Sequence, residues 1–250
     1  MSERLDLVRL ALGACALLMT PFAQAAESAE SLLKRADAYR LAADSVKVET
    51  RIEVLKNGQL DKERRYTVMA RPGRESLVLM RSPAEKGQKV LMKGDDFWMI
   101  MPTSQRPIRI TPTQKLLGDA AAGDVATLSW STDYSATLAG EDKCGDLACQ
   151  HLSLKARYPS TTYARIELWV DAKSAQPLRA ELYVASEKLA KRAEYTTKKV
   201  DGAMRVVSMA IDDEIATGRR TVLHYESTAP AQPPEEWFNP MFLTRNEVQP

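Results

Sequence analysis

Residues that commonly carry catalysis are scarce in this sequence. Its 250 residues include only two histidines, His151 and His224, and three cysteines. Each histidine lies in a pattern typical of a β-strand, with no second histidine at metal-ligand spacing. The motifs G-x-S-x-G, H-E-x-x-H, G-x-x-x-x-G-K-[ST] and G-x-G-x-x-G are also absent. We therefore expect neither a hydrolase, a metalloprotease nor a nucleotide-binding enzyme, and no enzyme activity.

An excess of one charge is lacking as well. The chain has 35 Lys and Arg against 33 Asp and Glu, a formal net charge of +2. Trp98, Trp130 and Trp169 could stack on bases or sugars, but no concentrated basic groove accompanies them. Core packing or an apolar cavity explains them better, and nucleic acid is not an expected partner. The acidic run Asp212 to Glu214 lacks the spaced oxygens and glycine of a calcium loop, so no metal or other cofactor is expected.

No apolar run is long enough to span a membrane. The apolar stretch Leu10 to Met19 falls well short of the ~20 residues that a spanning helix needs. It follows the basic residues Arg4 and Arg9 and precedes the small residues of Ala23-Gln24-Ala25, which is the layout of a bacterial signal peptide. Residues 1–25 are therefore predicted to be removed on export, which places the mature protein in the periplasm.

The mature chain, residues 26–250, is expected to form one soluble, monomeric domain. No Gly/Ser-rich linker divides it, and it shows no heptad pattern. A lipoprotein signal is the alternative to a cleaved leader, because Leu12-Gly13-Ala14-Cys15 resembles a lipobox. Against this alternative, Arg9 lies close to the cysteine and the apolar run continues past it.

Cys144 and Cys149 remain after the leader is removed. They frame a short polar turn, Gly145 to Ala148, between two strand-like runs. In an oxidising compartment this spacing predicts a disulfide within a hairpin. Closing so short a loop contributes only ~2 kcal/mol in the chain-entropy picture, so the disulfide would be a local constraint.

Hydrophobic periodicity predicts one amphipathic helix followed by many strands. Ser28 is a candidate N-cap, and apolar residues from Ala29 to Ala36 recur at helical spacing. From Ser45 the period changes to two, and Asn57-Gly58 marks a turn. Short connections between later runs predict an antiparallel meander. The further strands are predicted at 66–70, 76–80, 89–93, 97–101, 135–140, 150–158, 163–171, 178–185, 191–197, 205–212 and 219–226.

Two of the predicted strands are apolar on both faces. These are Leu77 to Met80 and Phe97 to Met101, which must be covered twice. Either they are central strands covered by a helix, or one face lines a cavity for an apolar ligand, which would suit a chain with ten methionines. Pro112 to Gly118, with Thr111 as the N-cap, is predicted to be a short helix that could act as a lid. The apolar patch Trp237 to Leu243 is predicted to dock on the sheet edge.

A resemblance to a known family rests on seven stretches of the mature chain: Ala36–Arg40, Arg81–Gly87, Phe97–Pro102, Arg106–Ile110, Gln114–Gly118, Gly123–Val125 and Asn239–Phe242. They resemble the bacterial outer-membrane lipoprotein-sorting (LolA-like) proteins, and more narrowly an uncharacterised branch of them. The resemblance covers nearly the whole mature chain. It implies a mainly β fold with helices (α+β), a strongly curved antiparallel half-barrel closed by helical lid segments, with acyl chains bound between sheet and helices. The contacts of the dedicated lipoprotein chaperone cannot be matched residue by residue.

The leading hypothesis is a non-catalytic periplasmic carrier. It would bind a lipid or a lipoprotein acyl chain in an apolar cavity and move it between the inner and outer membranes, touching membranes only transiently. Relatives of this branch resemble partners of inner-membrane transporters of the resistance-nodulation-division (RND) type, which makes such a transporter the implied partner. The predicted cavity or lid residues are Met92, Trp98, Ile100, Leu116, Leu117 and Trp130.

A second hypothesis belongs to another class of protein. A periplasmic sensor or adaptor would bind a protein partner through the sheet edge or the Trp237 to Leu243 patch, without lipid cargo. The sequence also leaves open which face of the Phe97 to Met101 strand points inward.

Overall fold

The computed structural model describes residues 27–41, 43–117, 120–127, 129–214 and 218–249, and the side chains of Lys115 and Leu117 lie outside this description. The predicted signal peptide, residues 1–25, and Gly118 also lie outside the described residues.

One large antiparallel sheet dominates the fold. Its thirteen strands run in the order β6-β5-β4-β3-β2-β1-β15-β14-β13-β12-β11-β10-β9, so two consecutive meanders meet where β1 pairs with β15. The N-terminal meander consists of β1 Val46–Lys56, β2 Gln59–Arg71, β3 Glu75–Met80, β4 Lys89–Lys93, β5 Asp96–Ile100 and β6 Ile108–Ile110. The C-terminal meander consists of β9 Tyr134–Cys144, β10 Leu147–Ala156, β11 Arg165–Asp171, β12 Pro177–Tyr183, β13 Leu189–Val200, β14 Ala203–Asp213 and β15 Arg219–Pro230.

The sheet is curved and is not closed into a barrel. Among the described residues its two edge strands, β6 and β9, do not pair with each other. Bulges bend individual strands and increase their twist, so a series of them curves a sheet. Register shifts occur at Glu49/Thr50, Val54/Leu55, His151/Leu152, Trp169/Val170, Leu182/Tyr183 and Thr196/Thr197. The curved antiparallel sheet expected from the sequence is confirmed.

Short helices cover the two faces. They are α1 Ala29–Asp37, α2 Ala122–Ala126, α3 Trp130–Asp133 and α4 Pro240–Arg245, with 3₁₀ turns at Pro83–Glu85 and Glu235–Phe238. Helix α1 begins where Ser28 Oγ accepts a hydrogen bond from Ser31 N at 3.2 Å, as its sequence predicts. Its buried residues Leu32, Leu33 and Ala36 face the sheet's main core. No helix within the described ranges is long and apolar enough to cross a membrane.

Two hydrophobic clusters lie on opposite faces of the sheet. The larger one fills the concave face and includes Val78, Val90 and Phe97 together with α1 and α2. The smaller one covers the outer face of β3, β4 and β5, where the C-terminal segment 235–248 packs on Leu77 and Leu91. Strands β3 and β5 are therefore covered on both faces, which accounts for their continuous apolar runs. The Trp237 to Leu243 patch docks on this outer face and not on the sheet edge.

The prediction of a helix over Pro112 to Gly118 is wrong. Lys115–Leu117 forms a short strand, β7, that pairs with β8 at Ala120–Ala121. Before it, Gln114 N donates to Thr111 O at 3.0 Å in a turn, and the Thr111 and Thr113 hydroxyls bond each other at 3.0 Å. A helix of about two turns gains little by itself, so local turn bonds and strand pairing prevail.

The predicted disulfide is confirmed. Cys144 ends β9 and pairs with Leu147, the first residue of β10, while Cys149 lies two residues further along β10. The Cα atoms of Cys144 and Cys149 are 6.0 Å apart, and the bond between them closes the hairpin. The disulfide therefore constrains one local turn at the edge of the sheet.

Candidate ligand-binding site

A cavity of about 380 Å³ opens on the concave side, between the end of α1, the β2–β3 turn and the segment that carries α2 and α3. This volume lies within the range of about 300–1,000 Å³ typical of small-molecule sites. Ala70, Met92 and Ala126 line it on the side of the sheet and α2, but more than half of its lining residues are polar or charged, including Asp37 and Arg74. The cavity thus combines an apolar side with a polar side formed by α1, α3 and the β2–β3 turn, which we call its entrance.

Asp37 joins α1 to α3 at this entrance. Its buried carboxylate accepts hydrogen bonds from Trp130 N at 2.8 Å, Ser131 N at 2.7 Å and Ser129 Oγ at 3.0 Å. These backbone donors at the start of a helix have no intrahelical partner, so a carboxylate there stabilises the helix. Helix α3 is therefore held by a side chain from α1.

Arg74 connects the β2–β3 turn to α3 across the entrance. Its Nε donates to Asp133 Oδ1 at 2.7 Å, its Nη2 donates to Ser160 Oγ at 3.0 Å, and it also pairs with Asp95. The guanidinium lies 4.0 Å from the Tyr158 ring centre. Burial raises the pKa of Asp133, and the Arg74 guanidinium opposes that rise. Arg74 thereby joins the N-terminal meander to the segment that precedes the C-terminal meander.

Asp124 fastens α2 to the C-terminal half of the sheet. Its Oδ2 accepts hydrogen bonds from Lys191 Nζ at 2.7 Å and Ala121 N at 2.9 Å, and its Oδ1 accepts one from Tyr163 Oη at 2.8 Å. The side chains of Asp124 and Lys191 are only 4% and 7% exposed. Burial and the neighbouring Asp124 carboxylate raise the pKa of Tyr163, so it remains a hydrogen-bond donor at neutral pH.

A second cavity, of about 40 Å³, lies between α2, α3 and the C-terminal meander. Thr127 lines both cavities, which places them side by side. The Arg40 guanidinium lies 4.1 Å from the Trp130 ring centre, and its Nη2 donates to Thr127 O at 3.3 Å. Trp130 meets Tyr195 edge to face, with ring centres 5.5 Å apart. The smaller cavity is therefore lined by aromatic rings, by the Arg40 cation and by the Asp124 carboxylate, whose charge is paired with Lys191.

The residues predicted from the sequence as ligand contacts do not share one face. Met92 lines the larger cavity, Trp130 lines the smaller one, and Leu116 is half-buried against the concave cluster. Trp98 and Ile100 lie on the outer face, where they pack with the C-terminal segment. The side chain of Leu117 lies outside the described residues. As ligand contacts, all six remain predictions.

The charged residues of the site were missed by sequence reasoning. Arg40 and Asp124 lie in stretches that carry the family resemblance, but no pattern gave them a role. Lys191 does have a signal: it alternates with Ala193 and Tyr195, both buried on the concave face. A lysine in an inward-facing position of a strand predicts a buried partner, because a buried charge without one is costly.

The two histidines lie away from both cavities. His151 stacks on Trp169 with ring centres 4.3 Å apart and bonds Glu167 at 2.7 Å, while His224 bonds Glu53 at 2.8 Å. Both belong to the face opposite the concave cluster. Burial and the nearby Arg51 lower the pKa of His224. These contacts are structural in character.

The acidic run Asp212 to Glu214 forms ion pairs at the end of a strand. Asp212 pairs with Arg220 at 3.1 Å and Glu214 with Arg192 at 2.6 Å. Within the part of the chain that the structure describes, no group of three or more His, Cys, Asp or Glu residues is arranged to hold a metal ion.

An open antiparallel sheet, curved around helices that close its concave face, defines the LolA-like class of proteins. A family model described only as an uncharacterised protein family matches residues 72–245. The crystal structure of a LolA superfamily protein from Nitrosomonas europaea superimposes with a TM-score of 0.79 at 31% identity, covering 86% of this chain and 98% of that one. The chain belongs to the LolA superfamily.

Two more distant structures share the fold. A domain described as an outer membrane lipoprotein-sorting protein from Vibrio parahaemolyticus has a TM-score of 0.68 at 20% identity, covering 87% of this chain and 98% of that one. A DUF1329 family protein from Desulfovibrio piger has a TM-score of 0.67 at 21% identity, covering 84% and 95%. No protein of curated function matches the chain.

Proposed function

We propose that this protein is a non-catalytic periplasmic carrier that binds a lipid or a lipoprotein acyl chain and moves it between the inner and outer membranes. The observation that carries the proposal is the 380 Å³ cavity on the apolar concave face, closed by short helices and turns. Met92 would contact the acyl chain from the sheet, with Trp130 and Leu116 on the closing side. Membership of the LolA superfamily supports this assignment.

Helices α2 and α3 close the concave face and are called the closing layer here. The way in which they are attached suits a carrier. Shielding about a dozen methylenes from water gains about 10 kcal/mol at ~0.8 kcal/mol each, so the cargo leaves only if the layer can move. Helices α2 and α3 have only five and four residues, and they are held both by apolar packing on the concave cluster and by the contacts of Asp37, Arg74 and Asp124. Helices this short bury little apolar surface each, so displacing them costs less than displacing a long packed helix.

The sequence and the disulfide support a periplasmic setting for the proposed cycle. Residues 26–250 would act as one monomeric domain in the periplasm, where the Cys144–Cys149 bond is stable. An inner-membrane transporter of the RND type would supply the cargo. Contacts with either membrane would be transient.

Native mass spectrometry of mature protein purified from periplasm, followed by organic extraction, tests the proposal. We expect a lipid-sized adduct on the wild type. Ala70→Phe, which places a ring in the larger cavity, should remove it. Ala203→Phe, at a half-buried strand position that lines neither cavity, should retain it.

A clean apo mass after incubation with phospholipid and with acylated peptide would contradict the carrier proposal. Recovery of a stoichiometric protein partner without lipid would instead support the adaptor hypothesis.

A further inference from the structure

Arg40 differs from the other buried charges of the concave side. Asp124 pairs with Lys191, Asp133 pairs with Arg74, and Asp37 accepts three hydrogen bonds. Arg40 has no carboxylate within the 4.0 Å limit of an ion pair among the described residues, and its Nη1 is buried without a hydrogen-bond partner there. Within the described part of the chain its guanidinium donates from Nη2 to Thr127 O at 3.3 Å and lies beside the Tyr225 phenol.

Two hydroxyl groups near Arg40 are also buried without a described partner. They belong to Thr162, which lines the smaller cavity with Arg40, and to Tyr225. Burial raises the pKa of Tyr225, and the adjacent Arg40 guanidinium opposes that rise, so the phenol neighbours the cation, although Tyr225 lines neither cavity. Each unsatisfied buried donor is costly, and an acceptor in the smaller cavity beside Arg40 and Thr162 would satisfy both of these residues, with Tyr225 supporting the guanidinium.

The dimensions and charge of this cavity match a carboxylate. A volume of about 40 Å³ holds about three water-sized groups, since each needs ~10–15 Å³. A carboxylate has three heavy atoms and one negative charge, which one guanidinium can neutralise through two parallel hydrogen bonds. The rings of Trp130, Tyr195 and Tyr163 also line this cavity and shield it from water, so an anion inside it would depend on Arg40 as its counterion.

We infer that Arg40 and the Thr162 hydroxyl, with Tyr225 supporting the guanidinium, bind the carboxylate of a long-chain fatty acid whose tail extends past Thr127 into the larger cavity. The inference rests on the proposed function and names the chemical class of the cargo. Thr127 is the junction because it lines both cavities and its hydroxyl lies 3.8 Å from Met92 Sδ on the wall of the larger one. Ester- or amide-linked acyl chains carry no carboxylate at this end and would not use Arg40.

Binding of palmitate and of methyl palmitate to the delipidated mature protein tests the inference at pH 8. Both ligands have the same tail, and only palmitate carries the charge. Arg40→Gln should weaken palmitate binding by about tenfold to a hundredfold, the usual effect of losing a charge-assisted hydrogen bond, and leave methyl palmitate unchanged. Arg219→Gln, an exposed arginine on β15 that lines neither cavity, is the control and should change neither.

Tyr225→Phe removes one hydroxyl while keeping the ring, so it serves if Arg40→Gln fails to fold. It should weaken palmitate binding about fivefold to tenfold. Carboxyl-¹³C palmitate gives an independent readout, because a carboxylate paired with arginine has a pKa lowered by about 1–3 units. The bound label should therefore stay ionised well below the pH at which a solvent-exposed fatty-acid head protonates.

Equal affinity of the wild type for palmitate and its methyl ester, or unchanged palmitate binding in both variants, would overturn the inference and leave the carrier proposal intact. Failure of palmitate, methyl palmitate and acylated peptide alike to bind would overturn both.

Discussion

Gly123 shows how a single position controls the closing layer. A Cβ atom built there would lie 1.8 Å from Thr162 Oγ1 and 2.9 Å from Thr162 Cβ. Glycine within a helix usually costs about 1 kcal/mol relative to alanine, so its presence in α2 needs a reason. Close approach of the helix to Thr162 supplies that reason.

Gly123→Ala should therefore destabilise the protein in spite of its better helix propensity. The expected loss is about 1–2 kcal/mol in the free energy of unfolding, because overpacking costs about 1–3 kcal/mol and the propensity gain offsets at most about 1. Urea unfolding measures the change. Adding Thr162→Ala removes the closest contact and should recover part of the loss, whereas a more stable single variant would contradict the packing described.

The Asp124–Lys191 pair makes a second prediction. Asp124→Asn removes the carboxylate that lies 2.7 Å from the buried Lys191 Nζ, which should cost about 3 kcal/mol in unfolding free energy. Asp124→Asn combined with Lys191→Met removes both charges and should recover much of the loss. Additive losses in the double variant, measured by urea unfolding, would show that the two side chains are not coupled.

The helices and strands differed in how well the sequence predicted them. Strand β1 alternates clearly between apolar and polar residues, and the predicted strands at 66–70 and 89–93 lie within β2 and at β4. Helices α2 and α3 have too few residues for a helical period, so their positions depend on distant partners. Asp124 lies 67 positions from Lys191 and Asp37 lies 93 from Trp130, and no local pattern carries such contacts.

The face assignment of β5 was open for a related physical reason. Both sides of this strand are apolar, because α4 and the preceding 3₁₀ turn cover one face and the concave core covers the other. Periodicity cannot separate two buried faces. Trp98 and Ile100 consequently received the same prediction as Met92, although they lie on the opposite side of the sheet.

The C-terminal cover should contribute strongly to stability through Phe238. This side chain is fully buried, and the Arg71 guanidinium lies 4.1 Å from its ring centre. Phe238→Ala should lower the unfolding free energy by about 3–5 kcal/mol, the usual cost of emptying a buried aromatic site. The half-buried neighbour provides the control, since Trp237→Ala should cost clearly less. Equal losses in thermal or urea unfolding would contradict this assignment.

Arg74 links the two meanders across the mouth of the larger cavity. Its partners belong to α3, to the loop between β10 and β11, and to the loop between β4 and β5. The curved sheet provides the floor of the cavity, and this one side chain bridges the two sides of its entrance. The Arg74 contacts therefore affect the opening of the larger cavity more than they affect any single strand.

Arg74→Gln should both destabilise the protein and speed the release of cargo. Asp133 would stay buried without its cation, which should cost about 3 kcal/mol, and Asp133→Asn in the same chain should restore part of that stability. Release would remain fast in the double variant because the bridge is still missing. Stopped-flow displacement of a fluorescent fatty acid measures the rate, and an unchanged rate would exclude Arg74 from the opening step.

The junction of β1 with β15 has a consequence for how the chain folds. Every other neighbouring pair in the large sheet is consecutive in sequence, whereas Val46 pairs with Pro230 across 184 positions, 230 minus 46. If the chain becomes available for folding in N-to-C order, the side of β1 that will bind β15 therefore stays unpaired until β15, the last described strand, is available. Such an open edge invites pairing with other chains, and contacts between distant positions form slowly. Aggregation is thus most dangerous just before β15 joins, when a nearly complete sheet still awaits its central strand.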